Sequence, residues 1–217
     1  MKKSWLLSLG VASTLLLGAC TTEAPEKQDV SKLEQEDVQV GEDGTITGND
    51  KASILKNIDL KQMYGDDEKV LAFAEKFFQK KAPDFEMSTL SGEKVSLKDY
   101  EGKPVVLKFA SSSCSVCQSS QYDFATFKNE SGVDILQLFP FDNNASVEKF
   151  LTQTATHEIV ERSKVLTNET TNTVAKDYEV PFTPFYFFID DSGHVAYIHV
   201  GAIDHANLQN LLEFIYS

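Results

Sequence analysis

The sequence predicts an α/β domain with a central mixed sheet flanked by helices. Three observations carry that expectation. The apolar run Val105-Val106-Leu107-Lys108-Phe109 is followed by a stretch able to continue as helix. Next comes Val133-Asp134-Ile135-Leu136-Gln137-Leu138-Phe139, which alternates like a strand. Strand, helix, strand in that order implies a right-handed crossover and a parallel pair. Phe185 to Ile189 is apolar throughout, as a central strand covered on both faces requires. Asp190-Asp191-Ser192-Gly193 then turns the chain into an antiparallel hairpin with 195–200.

At the N-terminus, Lys2-Lys3 precede an apolar segment from Trp5 to Ala19. It is too short and one-sided for a membrane span and suits an export signal. The segment ends in Leu17-Gly18-Ala19-Cys20, which resembles the lipobox of bacterial lipoproteins. That resemblance implies cleavage before Cys20 and a lipid on Cys20; the alternative is an uncleaved signal anchor with an incidental cysteine. Either way the rest of the chain is expected outside the cytoplasm, tethered to the cell membrane. A thiol pair there stays reduced only where a partner supplies electrons. The 217-residue chain has a formal charge of −13, and loss of residues 1–19 with two lysines takes it to about −15. Such a charge excludes nucleic acid and a polybasic hold on anionic lipid as expected partners.

Residues 20–50 are rich in Thr, Glu, Asp, Gln and Gly and poor in large apolar groups, so burial cannot offset the entropy of ordering them. They are expected to form a flexible acidic tether. In 51–81, Ile54, Leu55, Ile58, Leu60, Val70, Leu71, Phe73, Ala74, Phe77 and Phe78 recur near helical spacing. This predicts a helical extension of one or two helices that either packs on the domain or presents a partner surface, and packing is the usual fate of such stripes. From 82 to 217 the texture is that of a folded domain. Ala82-Pro83-Asp84-Phe85 opens an extended segment, and 87–97 reads as a hairpin of two short strands around Ser91-Gly92. After the 105–109 strand, Tyr122, Phe124, Ala125 and Phe127 mark a helix expected to stop near Ser131-Gly132. A helix around Val147 to Leu151, a short strand at Val165-Leu166 and a short helix from Asn172 to Tyr178 follow. Leu208, Leu211, Leu212 and Ile215 mark a closing amphipathic helix.

Chemistry concentrates in Ser113-Cys114-Ser115-Val116-Cys117. Two cysteines three positions apart at a helix start share one face, close enough to exchange a disulfide for a dithiol. Free N–H groups and the positive end of the helix dipole favour a thiolate on the first. Cys114 is therefore the candidate nucleophile and Cys117 the resolving partner. The same spacing also occurs in half a zinc site and in a static disulfide. Zinc needs four ligands, and beyond Cys20 the chain offers only His157, His194, His199 and His205, scattered without ligand spacing. No metal and no cofactor beyond the cysteine pair is expected.

In order, Ala82-Pro83-Asp84-Phe85, Gly102-Lys103-Pro104-Val105-Val106, Cys114-Ser115-Val116-Cys117, Thr183-Pro184 before an apolar strand, and Gly193 resemble the thioredoxin fold. The pattern is similar to the extracytoplasmic TlpA/ResA-type thiol-disulfide oxidoreductases. The resemblance covers 82–217 and implies that Pro184 is cis and faces the cysteines, with the Thr183 backbone free to pair with substrate; Pro181 is the rival position. It implies catalysis of thiol-disulfide exchange on proteins, in the reducing direction, with electrons from a CcdA/DsbD-like membrane protein. Targets such as methionine sulfoxide reductase or apocytochromes follow from the same resemblance. The alternatives are a thiol oxidase introducing disulfides into secreted proteins and a non-catalytic binding lipoprotein with a structural disulfide.

Three departures stand out. Ser113 replaces the tryptophan usual in thioredoxins, so a hydrophobic lip for substrate is missing or supplied elsewhere. Lys108 stands where thioredoxin has a buried acid. A charged Lys108 near the pair favours the Cys114 thiolate, a neutral one accepts the Cys117 proton, and one at the strand edge keeps its amine in water and does neither. No acid follows the pair before Asp123. Peroxiredoxins share the Ala-Pro-Asp-Phe opening, but Leu107 stands where their motif has proline, and Ser111 supplies only the hydroxyl position.

Overall fold

The computed structural model describes residues 68–168 and 173–216, together with the dipeptides 39–40 and 46–47. The expected signal, Cys20, most of the tether and residues 51–67 of the extension lie outside the described residues. Within the stretch expected as tether, β1 (Gln39–Val40) pairs antiparallel with β2 (Ile46–Thr47). Val40, Ile46 and Thr47 are β-branched and flank a sequence with two glycines, a composition that favours a small hairpin.

Helix α1 (Glu68–Phe77) packs on the domain. Its Phe73 ring meets Phe185 edge-on at 5.1 Å, and Phe77 meets Phe187 at 5.5 Å. The chain leaving α1 then bonds to the last strand of the sheet. Gln79 N donates to Val195 O at 2.7 Å, and Val195 N donates to Lys80 O at 2.9 Å. The 78–81 segment therefore covers a sheet edge that would otherwise offer free backbone groups to other chains.

The hairpin β3 (Glu86–Thr89) and β4 (Lys94–Ser96) turns at Gly92, whose φ of 91° is natural for a residue without Cβ. Strand β5 (Val105–Phe109), helix α2 (Ser115–Thr126) and strand β6 (Asp134–Phe139) form the expected crossover, and β5 and β6 are parallel. Helix α2 ends before the expected stop at Ser131-Gly132. Phe127 is already extended, and Asn129 Oδ1 accepts from Ser131 N at 3.1 Å and Ser131 Oγ at 2.6 Å. These local side-chain bonds compete with further helix. Helix α3 (Asn144–Gln153), strand β7 (Val165–Thr167), the single turn α4 (Val174–Asp177), strands β8 (Phe185–Ile189) and β9 (Val195–Val200), and helix α5 (His205–Tyr216) complete the chain.

The seven-stranded sheet runs β4-β3-β7-β6-β5-β8-β9. Strands β5, β6 and β7 are parallel, and β8 pairs antiparallel with both β5 and β9. Lys108 is in register with Gln137 on β6 and Tyr186 on β8, and Tyr186 with His199 on β9. Directly opposed residues share a face, so these four form one row. Helix α2 covers that face, and α3 joins it through Phe150 against Phe139 at 5.2 Å. The opposite face carries Phe109, Phe185 and Phe187, against which α1 and Tyr178 pack.

Candidate active site

Cys114 caps the N-terminus of α2, with φ −80° and ψ 115°, and the first turn places Cys117 above the sheet. The two are joined as a disulfide with Cα atoms 5.2 Å apart, inside the range such a bond accepts. Sulfurs bonded to each other are not zinc ligands in this state. Among the described residues no group of three or more His, Cys, Asp or Glu could hold a metal ion. Cys114 is partly exposed and Cys117 fully buried. An incoming sulfur can therefore reach only the first. Cys117 N donates to Cys114 Sγ at 3.0 Å, the backbone contact that stabilises negative charge on that sulfur once the disulfide opens.

The loop before the cysteines is tied down on both sides. Ser111 Oγ and Ser113 Oγ are 3.0 Å apart, and Gln118 Nε2 donates to Ser112 O at 2.8 Å. Asp142, in the turn after β6, accepts from Ser112 N at 3.0 Å and from Ser112 Oγ. From the other side, the Thr183–Pro184 peptide is cis, so Pro184 rather than Pro181 has that geometry. The Thr183 carbonyl oxygen lies 3.1 Å from Cys114 Sγ. Cys114, Cys117, Thr183 and Pro184 are thus brought together from two distant stretches of chain.

Lys108 is 0 % exposed, which removes the reading that keeps its amine in water at a strand edge. Its Nζ lies 3.4 Å from the Phe124 ring centre and donates to Gln121 Oε1 at 3.3 Å. Burial pushes the amine well below the usual lysine range. Gln121 and Gln137 exchange amides, with Gln121 Nε2 donating to Gln137 Oε1 at 3.1 Å and Gln137 Nε2 to Gln121 Oε1 at 2.6 Å. Sequence reading missed both glutamines. Gln121 lies four residues after Cys117, one turn further along the same helix face, and Gln137 interrupts the apolar pair Leu136 and Leu138. Those two spacings were the available signal. Further along the row, burial lowers His199 to about 4. Cys20 lies outside the described residues.

A helix-capping cysteine pair, open at the first sulfur and closed at the second, beside a cis-proline loop, defines the thiol-disulfide oxidoreductase class. The chain belongs to the AhpC/TSA family, whose family model matches residues 78–198. It is 30% identical over 139 residues to the thioredoxin-like protein YneN of Bacillus subtilis (strain 168), covering 61% of this chain and 76% of that one. Against the thiol-disulfide oxidoreductase ResA of Bacillus thuringiensis subsp. konkukian the identity is 30% over 119 residues, covering 54% of this chain and 65% of that one. Among solved structures, MTB dsbF in mixed oxidized and reduced forms superposes with a TM-score of 0.51 at 21% identity, over 62% of this chain and 98% of that one. The protein is thus an enzyme, a thiol-disulfide oxidoreductase of thioredoxin-like fold.

Proposed function

We propose that the protein reduces disulfides of other proteins outside the cytoplasm, anchored to the cell membrane through lipid on Cys20. Cys114 thiolate attacks one sulfur of a target disulfide. A bond forms between Cys114 and that sulfur, the target S–S bond breaks, and the released target thiolate takes a proton from water. Cys117 then loses its proton and attacks Cys114, which frees the second target thiolate and closes Cys114–Cys117. Two electrons pass to the target. Thr183 and Pro184 hold the target segment against Cys114 during this exchange.

The observation that carries the direction is the buried Lys108. A positive charge there would stabilise the thiolate of the reduced form and make the couple an oxidant, as a stabilised reduced state does elsewhere. Burial is the sole cause of the shift in Lys108, and it favours the uncharged amine. An uncharged amine leaves the reduced form without that support and offers a lone pair for the Cys117 proton. Because Cys117 is closed to water, its proton needs an internal acceptor.

The residues reset the pair only with an outside electron supply, and the resemblance to TlpA/ResA-type proteins names a CcdA/DsbD-like membrane protein as donor. Methionine sulfoxide reductase and apocytochromes are the target types by the same resemblance. Domain roles follow: 1–19 as signal, 20–50 as tether, 51–81 as extension, 82–217 as catalytic unit. The test is reduction of insulin disulfides by the full chain with dithiothreitol as electron source. Cys114→Ser is expected to abolish catalysis, and Cys117→Ser to accumulate a mixed disulfide on Cys114. Catalysis that survives Cys114→Ser contradicts the reading, and biological function retained with both cysteines as Ser supports a binding lipoprotein instead.

A further inference from the structure

Resting on the reading that the cysteine pair acts on protein disulfides, we infer that Phe141 and Phe182 form an aromatic lip beside Cys114. It selects extended polypeptide segments whose disulfide-bonded cysteine is flanked by large apolar side chains. Ser113, where thioredoxins carry tryptophan, is small, polar and exposed, so it supplies no lip and other loops are where one can stand. Phe141 is 60% exposed and Phe182 50% exposed, and Val116, between the cysteines, is 46% exposed.

Both rings stand on loops that touch the cysteine loop. Phe141 precedes Asp142, whose carboxylate accepts from Ser112 N at 3.0 Å. Its own backbone neighbours are clamped as well. Asn168 Nδ2 donates to Pro140 O at 2.8 Å, and Asn168 N donates to Asp142 O at 2.9 Å. Phe182 precedes Thr183, whose carbonyl oxygen is 3.1 Å from Cys114 Sγ. Its ring meets Phe185 edge-on at 5.8 Å, which fixes the ring while leaving half of it in water.

Large apolar groups held in water on fixed loops regain hydration free energy only when another surface covers them. The Thr183 backbone beside the sulfur suits an extended chain. Such a chain sends the side chains next to its cysteine to alternate sides, where Val116, Phe141 and Phe182 offer apolar contact. Glutathione disulfide has no such side chains to place.

The test uses the reduced full chain and two synthetic peptide disulfides, identical except that leucine and phenylalanine flank the cysteine in one and serine in the other. The readout is the ratio of the second-order rate constants with which the reduced pair, the stoichiometric electron source, reduces them. The unaltered protein is expected to favour the apolar peptide about tenfold, the scale set by covering a half-exposed phenyl ring. Phe141→Ser and Phe182→Ser each bring the ratio close to one, and Phe182→Leu keeps most of it. A ratio near one in the unaltered protein overturns the inference, and so does a ratio insensitive to both serine variants. An equal fall in Tyr122→Ser, on an exposed ring two helical turns past Cys114, also overturns it, assigning the effect to general surface hydrophobicity. Failure of the unaltered, reduced protein to reduce either peptide disulfide overturns the redox reading, and the lip with it.

Discussion

One residue of shift along β5 separates two different environments. Leu107 and Phe109 face a core of rings, in which Phe187 alone touches Phe73, Phe77, Phe109, Tyr178 and Phe185. Lys108 faces α2 and a buried polar row completed by Gln137, Tyr186 and His199. Both faces are equally closed to water, since all five residues of β5 are buried. The first face can only hold the domain together. The second lies under the cysteine helix and carries the buried polar groups. On the proposed role of Lys108, stability and redox chemistry are divided between the two sides of one sheet.

That division yields graded expectations. Phe187→Ala empties the ring cluster and is expected to cost about 3–5 kcal/mol of stability, read as a shift in denaturant midpoint, with the reduction potential of the purified fold barely moved. A large potential shift would break the proposed division. On the polar face, His199 is buried and held to about 4. The unfolded chain binds its proton from about pH 6.5 downward while the folded chain resists. Stability therefore falls as pH drops from 6.5 through 4, by about 3 kcal/mol at the lower end. Replacement of His199 by Phe should remove that slope from pH-dependent unfolding curves, whereas an unchanged slope assigns it to other groups.

Lys108→Met is expected to stabilise the fold at pH 7, read as a higher denaturant midpoint, because burial opposes the charge that the unfolded chain's lysine carries. Gln121 Oε1 keeps Gln137 Nε2 as a donor, so no acceptor is orphaned. The sign follows from burial. Below the ordinary lysine pKa the unfolded chain holds a proton that the folded one disfavours, so the gain shrinks as pH rises toward 10.5. On the proposed role of Lys108 as acceptor of the Cys117 proton, the same variant should slow resolution of the mixed disulfide about a hundredfold, followed by stopped-flow after mixing with a target disulfide. Gln137→Leu, which removes one amide from the Gln121 exchange, is expected to cost about 1 kcal/mol.

How much of this was legible in the sequence varies with how local the signal is. Strands β5, β6, β8 and β9 announce themselves by runs and alternation, and Cys114-Ser115-Val116-Cys117 and Thr183-Pro184 are contiguous motifs. Lys108 was visible as an anomaly, one cation in an apolar run, but its burial depended on α2 lying over it. Gln121 and Gln137 look ordinary alone, and become a pair only because α2 lies across β6. Phe141 and Phe182 are of a type usually buried, and only their place on folded loops leaves them facing water. The end of α2 was misjudged because Asn129 competes through its side chain, which no periodicity reports.

The central claim is a reducing couple above a buried amine whose charge is disfavoured by burial. Its most direct test is the reduction potential of Cys114–Cys117 in the full chain, equilibrated against glutathione and dithiothreitol buffers. A value around −270 mV or lower is predicted, and a value near −120 mV would contradict it and make the protein an oxidase of secreted thiols.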